Sequence, residues 1–376
     1  MSGFGIRAFK KHVEDVHKDE KDQYIRYVVY GQNTYAILTF LKLHKKFPGE
    51  VKLISESPFY KEDMLKEWNC SLTSVRSEAV SKALMSLNTH FEIYPSQKNV
   101  LFYKDTKFHK FGGRAKPFDL KDKEKFFTST AYEISLKPMF DENDLETLDE
   151  TLKANQLNKI ISEIELLTPT DLVEKTNFKL HTGENESIRC EKLYFCHSPK
   201  KFLNLVENKN QLSDAVYAYA AGIHNEQAIM LHINFKGNLE AKGSTYLLPQ
   251  SMTHEWGNFI VELADYDEKT NTQELKSLIF VGDDDLQEED LAKKIKLFKR
   301  VLERVFPKAS ELDFTQEIKF SDEYLQSGKK DGHFEALKSQ PVKFLGHASP
   351  IDHPESSKFE YLSRGLYAIL SSGELQ

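Results

Sequence analysis

Residues 24–56, YIRYVVYGQNTYAILTFLKLHKKFPGEVKLISE, read as strand, tight turn, helix and strand. The β-branched and aromatic run Tyr27-Val28-Val29-Tyr30 stops at Gly31, a residue suited to a sharp turn. Ala36, Ile37, Phe40, Leu41 and Leu43 then recur at the spacing of one buried helical face. Pro48-Gly49 breaks that pattern, and Val51-Lys52-Leu53-Ile54 resumes as strand. A helix joining two such strands is a βαβ unit, which implies a parallel sheet.

In a βαβ unit that binds a dinucleotide the turn is G-x-G-x-x-G or A, so that backbone can approach a pyrophosphate at the helix N-terminus. Here Gly31-Gln32-Asn33-Thr34-Tyr35-Ala36 keeps the first glycine and the small last residue, with Asn33 at the second glycine position. That glycine normally leaves out a side chain where the phosphate comes closest, so Asn33 must turn aside or contribute its own amide. Glu56, 25 positions after Gly31, stands where such units place the acid that hydrogen-bonds a ribose hydroxyl. The same residues also fit an ordinary βαβ start, with Glu56 a solvated acid at a strand end.

The chain of 376 residues, 40% of them hydrophobic, has the length and apolar content for two domains or for one large α/β body with an inserted layer. Its 58 acidic against 51 basic residues give a net charge of −7, which argues against nucleic acid as a partner and against broad attraction to an anionic membrane. Cys70, Cys190 and Cys196 are too few and too irregularly spaced for a disulfide framework or a zinc site, so a reducing cytoplasm is the expected location. No run of about 18 apolar residues occurs, so no membrane span is expected, and the first residues lack the apolar centre of a secretory signal. Phe4, Ile6, Phe9, Val13 and Val16, set among charges, predict a short amphipathic helix that docks on the body.

Downstream, residues 58–90 read as helical and polar. Residues 91–94 and 100–103 read as short strands around a Pro-Ser-Gln-Lys turn. Residues 104–165 read as a charged, largely helical insertion, with loops at Phe111-Gly112-Gly113-Arg114 and Lys116-Pro117. Strands follow at 164–167, 177–181, 188–190 and 193–196, the last ending in the polar stop His197-Ser198-Pro199 before a helix start. Residues 215–263 alternate apolar and polar, as in Ile229 to Phe235 and Phe259 to Leu263, and predict a mostly antiparallel sheet. A strand at 278–281, an amphipathic helix at 291–306, a strand at 341–346 and a closing helix through Tyr361, Leu362, Leu366, Ile369 and Leu370 complete the chain.

Three separated pieces, in order, resemble the flavin-dependent amine oxidase and protoporphyrinogen oxidase-like superfamily. They are the βαβ unit, the segment Leu193 to Pro199 with Phe202-Leu203, and Phe344-Leu345-Gly346-His347 with the last helix. The second is similar to the family's strand that ends in a threonine- or proline-containing turn. The third is similar to its terminal strand, glycine-acid turn and closing helix. The resemblance implies an α/β fold: a Rossmann-like FAD- or NAD(P)-binding domain assembled from discontinuous segments, with an inserted α+β substrate-type domain containing an antiparallel sheet. The expected division is an N-terminal extension over 1–22, a dinucleotide-binding domain from 23–90, 160–210 and 335–376, and a substrate or cap domain from 91–159 and 211–334. It implies FAD as cofactor, with Gly31, Gln32, Asn33, Thr34, Ala36, Glu56, Gly346 and His347 as binding candidates. His347 stands where the family has its acid and offers a backbone N–H or an imidazole to a phosphate oxygen.

Other clusters point to packing. His224, His232, His254 and Cys196-His197 lack the spacing of a metal site. Asp283-Asp284-Asp285 fits a helix cap better than a cation loop. Tyr217, Tyr219, Trp256 and Tyr361 are read as core aromatics rather than a cavity lining. No P-loop or G-x-S-x-G element occurs. Two functional readings remain, with the catalytic residues and the substrate unassigned in either. The first is an FAD-binding, flavin amine oxidase-like oxidoreductase with an atypical phosphate loop, acting on a small molecule. The second is a cofactor-less pseudoenzyme of the same fold serving as a protein- or ligand-binding scaffold, as the Rab GDP-dissociation inhibitors use this fold to bind a partner.

Overall fold

The computed structural model describes residues 21–87, 92–96, 99–104, 106–110, 131–135, 142–167, 176–183, 185–249, 259–282, 287–327, 334–346, 349–351 and 361–372. The chain opens with β1 (Lys21–Tyr30), α1 (Thr34–Lys46), β2 (Val51–Ser55), α2 (Lys61–Cys70), β3 (Ser74–Val75) and α3 (Glu78–Leu87). Next come β4 (Glu92–Ser96), β5 (Val100–Lys104), β6 (Lys107–Lys110), β7 (Ala131–Ser135), α4 (Glu142–Asn155), β8 (Gln156–Asn158), β9 (Glu163–Leu166), β10 (Phe178–Gly183) and β11 (Glu186–Phe195). Then follow α5 (Pro199–Leu205), α6 (Asp214–Gly222), β12 (His224–Lys236), β13 (Ser244–Leu248), β14 (Phe259–Leu263) and β15 (Thr272–Val281). The last elements are α7 (Glu288–Val305), β16 (Phe314–Ser327), α8 (Phe334–Lys338), β17 (Val342–Phe344) and α9 (Tyr361–Ser371).

A first sheet runs β8-β2-β1-β11-β10-β9, with β17 beside β11. β1 pairs in parallel with β2 and with β11, and β11 pairs in parallel with β17. Val28, Val29 and Tyr30 are wholly buried, as a central parallel strand covered on both faces requires. Tyr27 and Val29 face α1, while Val28 and Tyr30 enter a second core with Phe195, Phe202 and Phe344. A second sheet, β16-β12-β15-β14-β13-β5-β6, is mostly antiparallel and lays one face against α7 through Ile229, Leu231, Ile233, Phe298 and Leu302. Its opposite face, carrying Met230, Leu247, Ile260 and Leu278, shares a core with Phe40, Leu43, Met64 and Trp68 of α1 and α2. The α1–α2 layer is therefore held between the two sheets. The mixed α/β fold expected from the sequence, with parallel and antiparallel sheets, is present.

Several details differ from the sequence reading. The strands at 91–94 and 100–103 form but are not partners: β4 pairs with β7 in a small third sheet, and β5 pairs with β13 and β6. Residues 104–165 are not mainly helical where described, and β8 adds to the parallel sheet beside β2. Gln156-Leu157-Asn158 is too short and polar to register as a strand, and only its pairing with Leu53-Ile54-Ser55 reveals it. The separate strands expected at 188–190 and 193–196 are the one strand β11, which exchanges β10 for β17 as its neighbour along its length. The predicted docking helix at 4–21 lies almost wholly outside the described residues, as do Phe111 to Arg114, Lys116-Pro117, Asp283 to Asp285, His254, Trp256 and His347.

Candidate functional site

The chain leaves β1 towards β2 on one side, while β11 lies on the other, so the sheet's connections diverge at the carboxyl ends of β1 and β11. Open α/β sheets bind ligands at such a switch point. A cavity of about 620 Å³ occupies it here. Its floor is Gln32, Asn33 and Tyr35. Glu56, Asp63, Lys66 and Glu67 form one wall, and Cys196, His197 and Lys201 form another. Lys319, Ser321 and Glu323 of β16 face them from the antiparallel sheet, while Ile318 and Phe320, opposite Leu231 and Ile229, alternate on to its other face.

At the turn, the Asn33 side chain caps α1 by accepting from the N–H of Ala36 at 3.0 Å. Its amide nitrogen donates across the crevice to the Cys196 carbonyl at 2.7 Å. Gly31 lies between strands: a Cβ there would sit 2.8 Å from Cys196 Cβ and 2.9 Å from Ala36 Cβ. Its small side, and that of Ala36, are therefore required by the packing of β1, α1 and the end of β11, with no ligand needed to explain them.

The first N–H of α1, on Thr34, donates at 3.0 Å to Oε2 of Glu67. Glu67 is wholly buried, and the same oxygen meets Lys319 Nζ at 2.7 Å. An internal carboxylate thus lies on a helix N-terminus, where partial positive charge and exposed N–H groups otherwise attract an anion. Behind it, the buried Tyr35 ring fills the space between the turn and the C-terminal segment. Gly346 adopts φ +79°, and a Cβ on it would reach 3.0 Å from Tyr35 Cδ2, while one on Gly365 would come within 2.0 Å of Tyr35 Cε1. α9 approaches α1 closely because that glycine has no side chain.

At the end of β2, Glu56 accepts from the Tyr30 hydroxyl at 2.9 Å and pairs with Lys201 from the first turn of α5. The Lys201 hydrogen bond, helped by that of Tyr30 and opposed by desolvation, holds the Glu56 carboxyl below the ordinary carboxylate range. Burial first, then the neighbouring Glu56 charge, pushes the Tyr30 phenol well up. On the opposite wall His197 Nδ1 lies 3.3 Å from Glu323 Oε2, which also accepts the Ser198 N–H at 3.0 Å. His197 Nε2 is buried without a hydrogen-bond partner.

A dinucleotide does not fit these residues. Its pyrophosphate would meet the Glu67 carboxylate at the helix N-terminus, and Glu56, Asp63, Glu67 and Glu323 outnumber Lys66, Lys201 and Lys319 along the lining. Of the residues expected to bind a cofactor, Gln32, Asn33 and Glu56 line the crevice, while Gly31, Thr34 and Ala36 are buried at the turn and do not line it. Gly346 backs on to Tyr35, and His347 lies outside the described residues. Among the described residues no group of three His, Cys, Asp or Glu is placed to hold a metal, and no helix is long and apolar enough to cross a membrane. His232 lies between Glu274 and Glu317 on the sheet, Tyr219 is core, and Tyr217 is half exposed.

The sequence reading missed Glu67, Lys319 and Glu323. Two signals were available. Glu67 lies three residues after Met64 and one before Trp68, on the apolar face of α2, where an acid needs a partner. Along β16, Glu317, Lys319, Ser321 and Glu323 alternate with Ile318 and Phe320, which places the charges on one face of the strand.

No known family's sequence profile matches the chain, and no curated protein is matched by its sequence. Solved structures do match. A cyclohexylamine oxidase from Brevibacterium oxydans has a TM-score of 0.58 at 10% identity, with 93% of this chain and 98% of that one covered. A putrescine oxidase variant, from a redesign of its cofactor binding, gives 0.55 at 9% identity, with 94% and 99% covered. An oxidoreductase from Methanosarcina mazei gives 0.57 at 9% identity, with 92% and 100% covered. The fold is that of these amine oxidases and oxidoreductases, over nearly the whole chain.

Proposed function

We propose that this chain, which has the fold of the FAD-dependent amine oxidases, is a ligand-binding protein whose crevice takes a small polar molecule in place of a dinucleotide. One observation carries the reading: the buried Glu67 carboxylate, neutralised by Lys319, lies on the Thr34 N–H at the start of α1. The residues that keep the fingerprint legible, Gly31 and Ala36, are accounted for by packing. Asn33 is bound at both ends of its amide, so it is not free to receive a phosphate.

The test is a visible absorption spectrum of the freshly purified protein, followed by thermal melts with added FAD, NAD or NADP. The expected result is a colourless protein whose melting is unmoved by any of the three. Stoichiometric bound flavin, or stabilisation that rises with FAD concentration, overturns the reading. It would instead favour the second reading, an FAD-binding oxidoreductase with an atypical phosphate loop. That reading draws on the likeness of fold to oxidases and on Gly31, Ala36 and Glu56 at the spacing of a nucleotide unit.

A further inference from the structure

β16 ends the antiparallel sheet, with β12 on one side and, among the described residues, no strand on the other. The direction of its main-chain groups follows from the ladder. The Lys236 N–H donates to the Asp313 carbonyl at 2.8 Å, in the register that pairs Phe235 with Phe314 and Ile229 with Phe320. Bonded and unbonded pairs alternate along an antiparallel ladder. Thr315, Glu317, Lys319 and Ser321 therefore bond β12, while Phe314, Gln316, Ile318 and Phe320 turn their N–H and C=O to the free edge. The neighbouring strands agree. The Ala264 N–H donates to the Glu274 carbonyl at 2.9 Å, which directs Leu275, Ser277 and Ile279 to β12 and Ile233, Leu231 and Ile229 away from β16. Among the described residues no hydrogen bond reaches the outward groups of Gln316, Ile318 or Phe320.

Ile318 and Phe320 line the crevice although their side chains lie on the other face, so their main-chain edge is what borders the cavity. Edge groups repeating every two residues, about 6.8 Å, match the main chain of one more strand. The two faces of the edge define that strand's side chains. On the face shared with α7, the Phe314 and Phe320 rings are 43% and 41% exposed, on either side of half-buried Ile318. On the crevice face Glu317 lies 3.5 Å from His232 Nδ1, and Lys319 holds Glu67. A charged residue added there would compete with those partners, whereas a hydroxyl bonds to either group without separating them.

We propose that an extended peptide adds to β16 as an antiparallel strand over residues 314–320, with apolar residues on the Phe314 and Phe320 face and uncharged polar residues on the crevice face. Glu323, which accepts the Ser198 N–H and meets His197, closes the edge beyond Ser321. Because Ile318 and Phe320 present the edge inside a crevice, a single extended chain reaches it where the flank of a second folded copy does not. The inference rests on the reading that no dinucleotide fills the crevice, and it makes the polar occupant a peptide main chain.

The test titrates the full chain calorimetrically with a heptapeptide of alternating valine and threonine, capped at both ends. Residues bonded across an antiparallel pair share a face, so the valine N–H groups meet β16 and the threonine N–H groups point away from it. Methylating the valine nitrogens is expected to weaken binding at least about tenfold, one hydrogen bond's worth or more, and methylating the threonine nitrogens to preserve it. Ile318→Pro removes an outward N–H without breaking a bond to β12, so the variant is expected to fold and to bind the peptide about tenfold more weakly. Should it melt early, Gln316→Pro and the two methylated peptides still report. No binding of the parent peptide, equal binding of the methylated isomers, or affinity indifferent to both proline variants overturns the inference. So does a concentration-dependent dimer in sedimentation that Ile318→Pro abolishes, since the edge then belongs to a second copy. A colourless protein with any of these results loses this inference alone. A protein carrying stoichiometric flavin loses the underlying reading as well.

Discussion

Replacing Lys319 with methionine removes the countercharge from Glu67 while keeping most of the stem's volume. Glu67 has no exposure, the Lys319 side chain is 23% exposed, and their charged atoms are 2.7 Å apart. Breaking a fully buried pair costs about 3–5 kcal/mol, because the remaining charge is left desolvated. Two features reduce that here: the Thr34 N–H at the start of α1 still stabilises the carboxylate, and part of the lysine was already solvated. The expected loss is about 2–3 kcal/mol. Glu67→Gln keeps an oxygen for Thr34 and leaves a lysine that can turn to water, so its cost is about 1 kcal/mol. The double variant should lose less than the sum of the two, since the methionine no longer faces an unpaired carboxylate. Urea unfolding reads the effect: at an m-value of roughly 3 kcal/mol/M, Lys319→Met lowers the midpoint by about 1 M with m unchanged. An unmoved midpoint, or Glu67→Gln as costly as Lys319→Met, would refute the placement of a paired carboxylate on the α1 N-terminus.

Three further outcomes follow from the geometry. Gly365→Ala drives a methyl into the Tyr35 ring and is expected to destabilise by about 2–3 kcal/mol, with Tyr35→Ala relieving the clash in a double variant followed by thermal melting. Because the Glu56 carboxyl is held below its ordinary value near 4.3, it stabilises the fold above that pH and the contribution is lost as pH falls through the lower folded value. Lys201→Met should therefore shrink the acid-induced loss of stability between neutral pH and about pH 3, by under about 1 kcal/mol given the exposure of both groups, and an unchanged acid profile would count against the pair. Burial pushes the Cys70 thiol up to about 11 and the Cys196 thiol to about 12, and raises Cys190 further. A thiol reagent at pH 8 should find none of the three in the native protein and all three after denaturation, and rapid labelling of the folded chain would contradict their burial.

The sequence carried the parallel core well because its signals are local and repeated. Tyr27 to Tyr30 is apolar on both faces, the α1 face recurs at helical spacing, and Pro48-Gly49 marks the break. The alternation along β12 and β14 made the antiparallel sheet legible for the same reason. What escaped was set by partners far along the chain. β8 is a strand because Leu53 to Ser55 leave an edge for it, each paired residue 103 positions away by sequence, and β4 and β5 separate because each finds another edge to pair with. Glu67 escaped because its meaning depends on Lys319, on a strand in the other sheet. A helix acid reads as a solvated face until its partner is known.

The dinucleotide fingerprint divides here into two sets of residues with different physical tasks. Gly31 and Ala36 let β1, α1 and β11 meet without a clash of Cβ atoms, and any chain with this strand–turn–helix geometry needs small residues there whether or not it binds a nucleotide. The second glycine position and the helix N-terminus have no such packing task, because only a phosphate requires an open approach to that backbone. In this chain the packing residues are kept and the phosphate-facing ones are replaced: Asn33 caps α1 and reaches Cys196, and Glu67 lies on Thr34. A fingerprint present only in its packing half argues for the fold and not for the cofactor. By the same reasoning, restoring the open approach requires changing both halves of the plug, and Asn33→Gly with Glu67 intact is expected to leave FAD without effect on the melting temperature. A rise in melting temperature with FAD in that single variant would refute the proposal that Glu67 bars a dinucleotide from the crevice.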